Sequence, residues 1–280
     1  MKFQISNCLK SRAPRNRLLD ARVRRRALLL SLAALAAVTS SCSRTQPVEP
    51  ARESATNAAE LVKQADGLYA ERASIEKARQ AVAVLRRARQ ADYGNYEAIW
   101  KLSKYDYYLG GHEHDEQKKL EAFREGIAAG EQAVKLAPDK PEGHFWLGAN
   151  IGGRAKVQGP LYALSSVPDI RREMETVIKL DEGFQGGSAY LALGQLDLEL
   201  PDVLGGDPER AVAELERGLK VGENNALLRL QLARAYYTVG RHTDAREQAN
   251  AVLKMKPPPD YQTEYEEAAD GARQLLAKLN

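Results

Sequence analysis

One short string recurs five times along the chain and limits what it can fold into. Ala133-Val-Lys-Leu136, Val177-Ile-Lys-Leu180, Gly218-Leu-Lys-Val221 and Val252-Leu-Lys-Met255 share a register, and Ala88-Arg-Gln-Ala91 is a fainter first copy. The last residues of successive copies stand 45, 44, 41 and 34 positions apart. A period in that range marks repeat architectures, in which each unit is one supersecondary element that buries its apolar face only against its neighbours. Ala, Leu, Glu, Lys, Arg and Gln dominate after residue 57, and no β-branched run alternates as a strand would. The expectation is an all-α stack of five helical pairs.

The last unit shows how a pair is built. Leu232 and Tyr236 lie four apart on one face of a first helix, Gly240 ends that helix, Ala245 lets a second helix approach, and Pro257 stops it. This spacing follows the tetratricopeptide repeat, a helix–turn–helix of about 34 residues. Arg229 departs from it, standing where a large apolar residue is usual. Trp146-Leu-Gly148, Tyr190 with Leu193-Gly194, and a degenerate Ile99-Trp100 with Leu102-Ser103 mark the other first helices. Turn signals at Gly110-Gly111 through Asp115, Gly152-Gly153 through Pro160, and Pro201 through Pro208 place the residues beyond the standard unit between the two helices of a pair. Tyr265, Ala268, Ala272, Leu275 and Leu279 at helical spacing predict a C-terminal capping helix. The fold class is thus a tetratricopeptide-like α-solenoid with inter-helix insertions and a cap.

The N-terminal segment has a different composition. The chain carries 41 Lys and Arg against 38 Asp and Glu, but residues 1–41 hold nine of the basic residues and only one acidic one. Without them 32 basic face 37 acidic residues, a formal net charge of −5, so nucleic-acid binding loses its electrostatic basis. Arg24-Arg-Arg26 before the apolar run Ala27–Val38 reads as a signal peptide, too short to span a membrane. Small residues Thr39-Ser-Ser41 before Cys42 resemble a lipoprotein cleavage site, although Thr39 departs from the usual Leu. Cys42 is then the lipidated residue, and it is the sole cysteine left after cleavage. Ser43 favours the outer membrane by resemblance to envelope sorting rules. Residues 1–22 are long for the basic part of a signal, which makes Val23 an alternative start. The expected organisation is a signal peptide at 1–41, a lipid-anchor tether at 42–57 with Pro47 and Pro50, and the solenoid at 58–280.

The insertions carry a more specific pattern. It comprises Pro138-Asp-Lys-Pro-Glu-Gly-His-Phe-Trp-Leu-Gly148, Gly152-Gly-Arg154, Gly159-Pro-Leu-Tyr-Ala-Leu164, Glu173-Met174, and Gly186-Gly187 before Tyr190. Leu193-Gly194, Leu200-Pro201 and Gly205-Gly-Asp-Pro-Glu-Arg-Ala211 complete it. Together these resemble the TatT family, the T component associated with TRAP transporters, over roughly residues 58–256. The resemblance implies a periplasmic, lipid-anchored repeat protein working beside the solute-binding protein of a TRAP system that imports organic acids and related small molecules.

No catalytic constellation is present: there is no phosphate-binding Gly-rich loop in a strand–helix context, no nucleophile elbow and no metalloprotease helix motif. No cofactor is expected. His112-Glu-His-Asp-Glu116 offers metal-ligand side chains, but two His two apart diverge on a helix, so a solvated turn is the plainer account. Tyr93, Tyr96, Trp100, Tyr105, Tyr107 and Tyr108 either fill space between helices or line a groove. Asn150 and Arg154 follow Trp146 at steps of four, where an Arg suits a carboxylate or a solvated helix end. The segment from Gly152 to Ser166 retains Val157, Leu161, Tyr162 and Leu164, more apolar surface than a solvated loop needs.

The binding candidates are therefore Trp146, Asn150, Arg154, Lys156, Tyr162 and Tyr190, with Arg154 or Lys156 supplying charge for an anionic solute or an acidic partner patch. The expected partners are the solute-binding protein, a small organic acid or apolar ligand, the membrane through the anchor, and a second copy of the chain. The competing expectation is a repeat scaffold for an outer-membrane or cell-envelope assembly that binds no small molecule.

Overall fold

The computed structural model describes residues 49–256 and 262–279. Cys42, the signal segment and Pro257 lie outside the described residues. Eleven α-helices follow one another among those described: α1 Glu49–Ala70, α2 Ile75–Ala91, α3 Tyr96–His112, α4 Glu116–Leu136, α5 Pro141–Gln158, α6 Pro160–Leu180, α7 Ser188–Glu199, α8 Pro208–Val221, α9 Ala226–Thr238, α10 His242–Lys254 and α11 Gln262–Leu279. They stack as five pairs with α11 as a cap, which is the expected tetratricopeptide-like solenoid. The second helices end at Ala91, Leu136, Leu180, Val221 and Lys254, on or within one residue of the ends of the repeated strings.

Local chemistry fixes these boundaries. Asn95 and Asn225 cap the starts of α3 and α9, accepting bonds from the backbone N–H of Ala98 at 2.9 Å and of Leu228 at 3.1 Å. Asp115 and Asp207 do the same for α4 and α8, each at 2.9 Å. Pro141, Pro160 and Pro208 open α5, α6 and α8, where a missing N–H is harmless. Gly240 turns the chain after α9 with φ +79°, as its place in the repeat requires.

Two expectations about the insertions are corrected. Gly152-Gly153 and Gly110-Gly111 are helical, inside α5 and α3, and the extra residues lengthen α3 to α6 instead of forming loops. The junction of α5 and α6 is the single residue Gly159, at φ +90° and ψ −179°. These glycines are there for close packing: a Cβ on Gly110 or Gly153 would stand 2.7 Å and 2.2 Å from the ring of Phe123, which they clasp from two helices. Only the third insertion, between α7 and α8, is extra chain outside the α-helices, with one 3₁₀ turn at Asp202–Leu204. The tether is also shorter than expected on its described side, because α1 begins at Glu49 and not after residue 57.

Buried ions pin the middle of the stack. Asp197 of α7 is fully buried and accepts from Arg171 of α6 at 2.5 Å and from Arg210 of α8 at 2.6 and 2.7 Å. Three helices meet on that one carboxylate. His144 of α5 sits against Glu173 of α6 at 2.6 Å, and its other ring nitrogen lies 3.0 Å from the Pro138 carbonyl.

Candidate functional site

The first helices line the inner face of the stack, where α1 meets α3, α3 meets α5 and α7 meets α9. Between α5 and α7 the direct packing is sparse, and α6 meets α7 less closely than α2 meets α3, α4 meets α5 or α8 meets α9 at the other junctions between successive units. The cause lies in the α6–α7 connection. It runs from Asp181 to Gly187, longer than the four-residue links at 92–95, 137–140 and 222–225. Gln185, Gly186 and Gly187 take φ of 45°, 64° and 74° in succession. Gly187 is doubly required, since a Cβ there would also lie 2.7 Å from the carbonyl oxygen of Gly218.

The opening that results is a cavity of about 600 Å³. Its apolar wall comes from Phe145 and Trp146 of α5, Ile170 and Met174 of α6, and Leu191 and Leu196 of α7. Tyr107 of α3 closes one side, and Gln185, Gln195, Asn224 and Asn225 supply amides. Glu264 and Tyr265 of α11 complete the wall. That volume and mixture fit a drug-sized ligand held mainly by apolar contact and oriented by a few polar groups.

Helix α11 does more than cap the last unit. Glu264 accepts from Arg72, in the turn after α1, at 3.0 Å, and Glu267 lies 3.8 Å from His112 at the end of α3. The two contacts join the C-terminal helix to the first two units across the inner face. Tyr107, 40% accessible, lines the cavity, and burial raises the pKa of its hydroxyl.

Of the six expected binding residues, Trp146 and Lys156 line the cavity. Asn150 does not, being fully buried and donating to the Ser103 carbonyl at 2.9 Å and the Trp146 carbonyl at 2.7 Å, which ties α5 to α3. Tyr190 is likewise core: it is fully buried and its hydroxyl donates to Glu182 at 2.5 Å, with the hydroxyl pKa pushed up to about 12 by burial and that carboxylate. Arg154 lies over the Tyr162 ring at 4.7 Å and donates to Gln158 at 2.6 Å, and neither Arg154 nor Tyr162 is part of the cavity lining. Lys156 is 3.2 Å from Glu199, so its charge is already answered.

Among the six aromatics of the first units, Tyr107 lines the cavity, whereas Tyr105 stacks flat on Tyr69 at 3.7 Å and Tyr108 stacks on His112 at 3.9 Å. Glu113 is not solvated as expected: it is buried and accepts two bonds from Arg79 at 2.7 and 2.8 Å. Among the described residues no three His, Cys, Asp or Glu side chains converge on one point, and no helix is long and apolar enough to cross a membrane. Sequence reasoning missed Phe145, Met174, Leu191, Leu196 and Tyr265. The available signal was Gly148 with Gly152, two small residues four apart that bare one side of α5 beside Met174 and Ile170.

Two family profiles match the chain. The profile of regulator of microtubule dynamics protein 1-3 spans residues 61–197, just under half of the sequence, and a tetratricopeptide-repeat profile spans 204–263. The motifs that resemble the TRAP T component fall largely inside the first of these. Among solved structures, a thermophilic TPR protein of Thermus thermophilus is similar at 18% identity, covering 75% of this chain and 98% of its own, with a TM-score of 0.55. Pseudomonas aeruginosa pilF is similar at 15% identity, covering 82% of this chain and 93% of its own, with a TM-score of 0.52. These likenesses concern the fold alone. No curated protein matches significantly. The chain thus contains tetratricopeptide repeats, a module that mediates protein interaction, and a segment similar to the regulator of microtubule dynamics family. Such repeat families are generally non-catalytic.

Proposed function

We propose that this protein is a lipid-anchored, non-catalytic scaffold of the cell envelope that receives an amphipathic small molecule in its inner cavity and presents it to a protein partner. The observation that carries the reading is the 600 Å³ cavity between α5 and α7, walled by apolar side chains and joined by α11. A repeat stack needs no such cavity to bury its core, because each unit is stabilised by the next. In this reading Cys42 carries the lipid, the protein faces the periplasm from the outer membrane, and the partner is the solute-binding protein of a TRAP-type uptake system. The signal segment and the resemblance of the insertion motifs support those three assignments.

A second reading, an envelope scaffold that docks proteins and carries no ligand, is favoured by one feature. Leu161, in the first turn of α6, and Val203, in the 3₁₀ turn before α8, are 88% and 90% exposed.

Crosslinking the mature protein in envelopes, followed by pull-down and mass spectrometry, separates the two. A solute-binding protein recovered with a bound small molecule supports the first reading; envelope-assembly proteins with no small molecule support the second. Replacing Cys42 with Ser is expected to release the protein into the soluble periplasm, and unchanged membrane association contradicts the anchor.

A further inference from the structure

Two links between successive units, 181–187 and 222–225, meet at the edge of the cavity. Asn225 donates from its amide nitrogen to the Gly186 carbonyl at 2.9 Å, and Gly222 packs so closely there that a Cβ would stand 2.0 Å from the same oxygen. This contact brings the link that carries Gln185 against the link that carries Glu223 and Asn224, and all three residues line the cavity.

Gln185 is the one residue other than glycine with a positive φ among those described, at 45°. Glycine takes that conformation freely, whereas a side chain held in it is strained. Such outliers persist where the surroundings over-determine them, and they cluster at ligand sites. Here the Gln185 carbonyl accepts from the Ser188 hydroxyl at 2.7 Å, which fixes the backbone. The side-chain amide, kept in spite of the strain, has no hydrogen-bond partner among the described residues.

The polar groups of the lining that remain unanswered define what the cavity takes. Lys156 is paired with Glu199 at 3.2 Å and Glu264 with Arg72 at 3.0 Å, so the lining offers an anion no free cation. Glu223 is the lining charge without an opposite one, because Arg229 donates to the Glu223 backbone carbonyl at 3.1 Å and to Gln248 at 2.9 Å and not to the carboxylate. The amides of Gln185 and Asn224 are unpaired among the described residues, and each can donate and accept. Gln195 keeps its carbonyl oxygen free while its amide nitrogen donates to Glu199 at 2.7 Å. A carboxylate head meets repulsion from Glu223, and an ammonium head leaves the amide donors unmade. Hydroxyls donate to Glu223 and both donate to and accept from the amides, so a head with several of them satisfies the whole set.

We propose that Gln185, Asn224 and Glu223 form the head-group subsite of the cavity, taking the uncharged, polyhydroxylated head of an amphiphile whose apolar chain lies against Phe145, Met174 and Leu196. The inference rests on the cavity reading given above and deepens it by naming the ligand class. It departs from the anionic solute that Arg154 and Lys156 led one to expect.

The test is calorimetric titration of the mature protein with octyl β-glucoside, octanol, octanoate and octylammonium, which share a tail, each below its micellar concentration. Octyl glucoside is expected to bind at a single site, at least about tenfold tighter than octanoate or octylammonium. Gln185→Gly relieves the backbone and removes the amide, so it should weaken the glucoside several-fold, leave octanol within twofold and hold or raise the thermal midpoint. Gln185→Asn also tolerates this φ and keeps an amide, and should retain more of the glucoside affinity than Gln185→Gly. Glu223→Gln should narrow the gap between glucoside and octanoate. Octanoate or octylammonium binding as tightly as the glucoside overturns the ligand class. Glucoside affinity unchanged in Gln185→Gly, or a midpoint that falls in that variant, overturns the subsite and leaves the cavity standing. If neither the glucoside nor octanol binds the native protein, the cavity reading fails and the subsite with it.

Discussion

Glu264, in the first turn of α11, accepts a bond from Arg72 in the turn after α1, 192 residues earlier in the chain, at 3.0 Å. The pair makes an otherwise one-dimensional stack contact itself. In an open repeat array each unit touches only its neighbours, whereas here the C-terminal helix reports to the first unit and shares the cavity wall with α3, α5 and α7.

That relation predicts a local effect of Glu264→Gln. The Glu264 side chain is 37% exposed, so solvent screens the pair and global stability should fall by less than about 1 kcal/mol. Hydrogen exchange of α11 should accelerate while that of α3 to α6 stays as in the native protein. Exchange that is uniform across all helices would mean that the contact does not hold α11 in place.

Asp197 is expected to be the most costly single site in the stack. It is fully buried between Arg171 and Arg210, and removing one member of a buried ionic group leaves uncompensated charge, typically at about 3–5 kcal/mol. Asp197→Asn should therefore shift the urea midpoint strongly downward. A shift of a few tenths of a kcal/mol would show that the two arginines find solvent at little cost.

Asp106 predicts a pH-dependent stability with a definite sign. It is fully buried, neither carboxyl oxygen has a partner among the described residues, and burial raises its pKa well above the ordinary value. The native state then holds a proton that the unfolded chain, with a carboxyl pKa of about 3.9, gives up. The favourable neutral form is fully present below that value, and the protein loses stability as pH rises through the native pKa. Asp106→Asn removes the titration, so urea unfolding at pH 8 should show the variant stabilised by about 1–3 kcal/mol relative to the native protein, with a smaller difference at pH 5. An equal difference at both pH values would refute the assignment.

Adjacent glycines of α3 should respond in opposite directions to alanine. A Cβ on Gly111 meets nothing within 4 Å, so Gly111→Ala gains helix propensity, about 0.5–1 kcal/mol. A Cβ on Gly110 stands 2.7 Å from the buried Phe123 ring, and overpacking of about 1–3 kcal/mol outweighs that gain. Thermal melts of the two variants compare the effects within one helix.

How much of this was legible in the sequence follows from what each signal measures. The repeated strings record a local requirement, the buried end of each second helix, and they place all five ends to within a residue. Cap residues such as Asn225 and the turn at Gly240 are equally local. Gly152-Gly153 misled because a glycine pair marks a turn only when nothing packs against it; the Phe123 ring that occupies the space above Gly153 comes from another helix. Asn150 and Tyr190 misled for a related reason. Polar and aromatic side chains at helical spacing look like a binding face until their partners, Ser103 and Glu182, are known. Trp146 and Lys156 line the cavity, whereas Asn150 and Arg154, which follow Trp146 at steps of four, do not; Tyr265 joins the lining only through contact between distant units.

The central claim is that the cavity between α5 and α7 holds a ligand, and saturation binding of N-phenyl-1-naphthylamine, a neutral apolar fluorophore, tests it most directly when the native protein is compared with Ala192→Trp. Ala192 lines the cavity and is only partly buried, so an indole there fills the space without displacing core. The account predicts one saturable site per native chain, and loss of that site in the variant with little change in thermal midpoint. Binding that survives Ala192→Trp in a folded variant, or no saturable binding by the native protein, would contradict it.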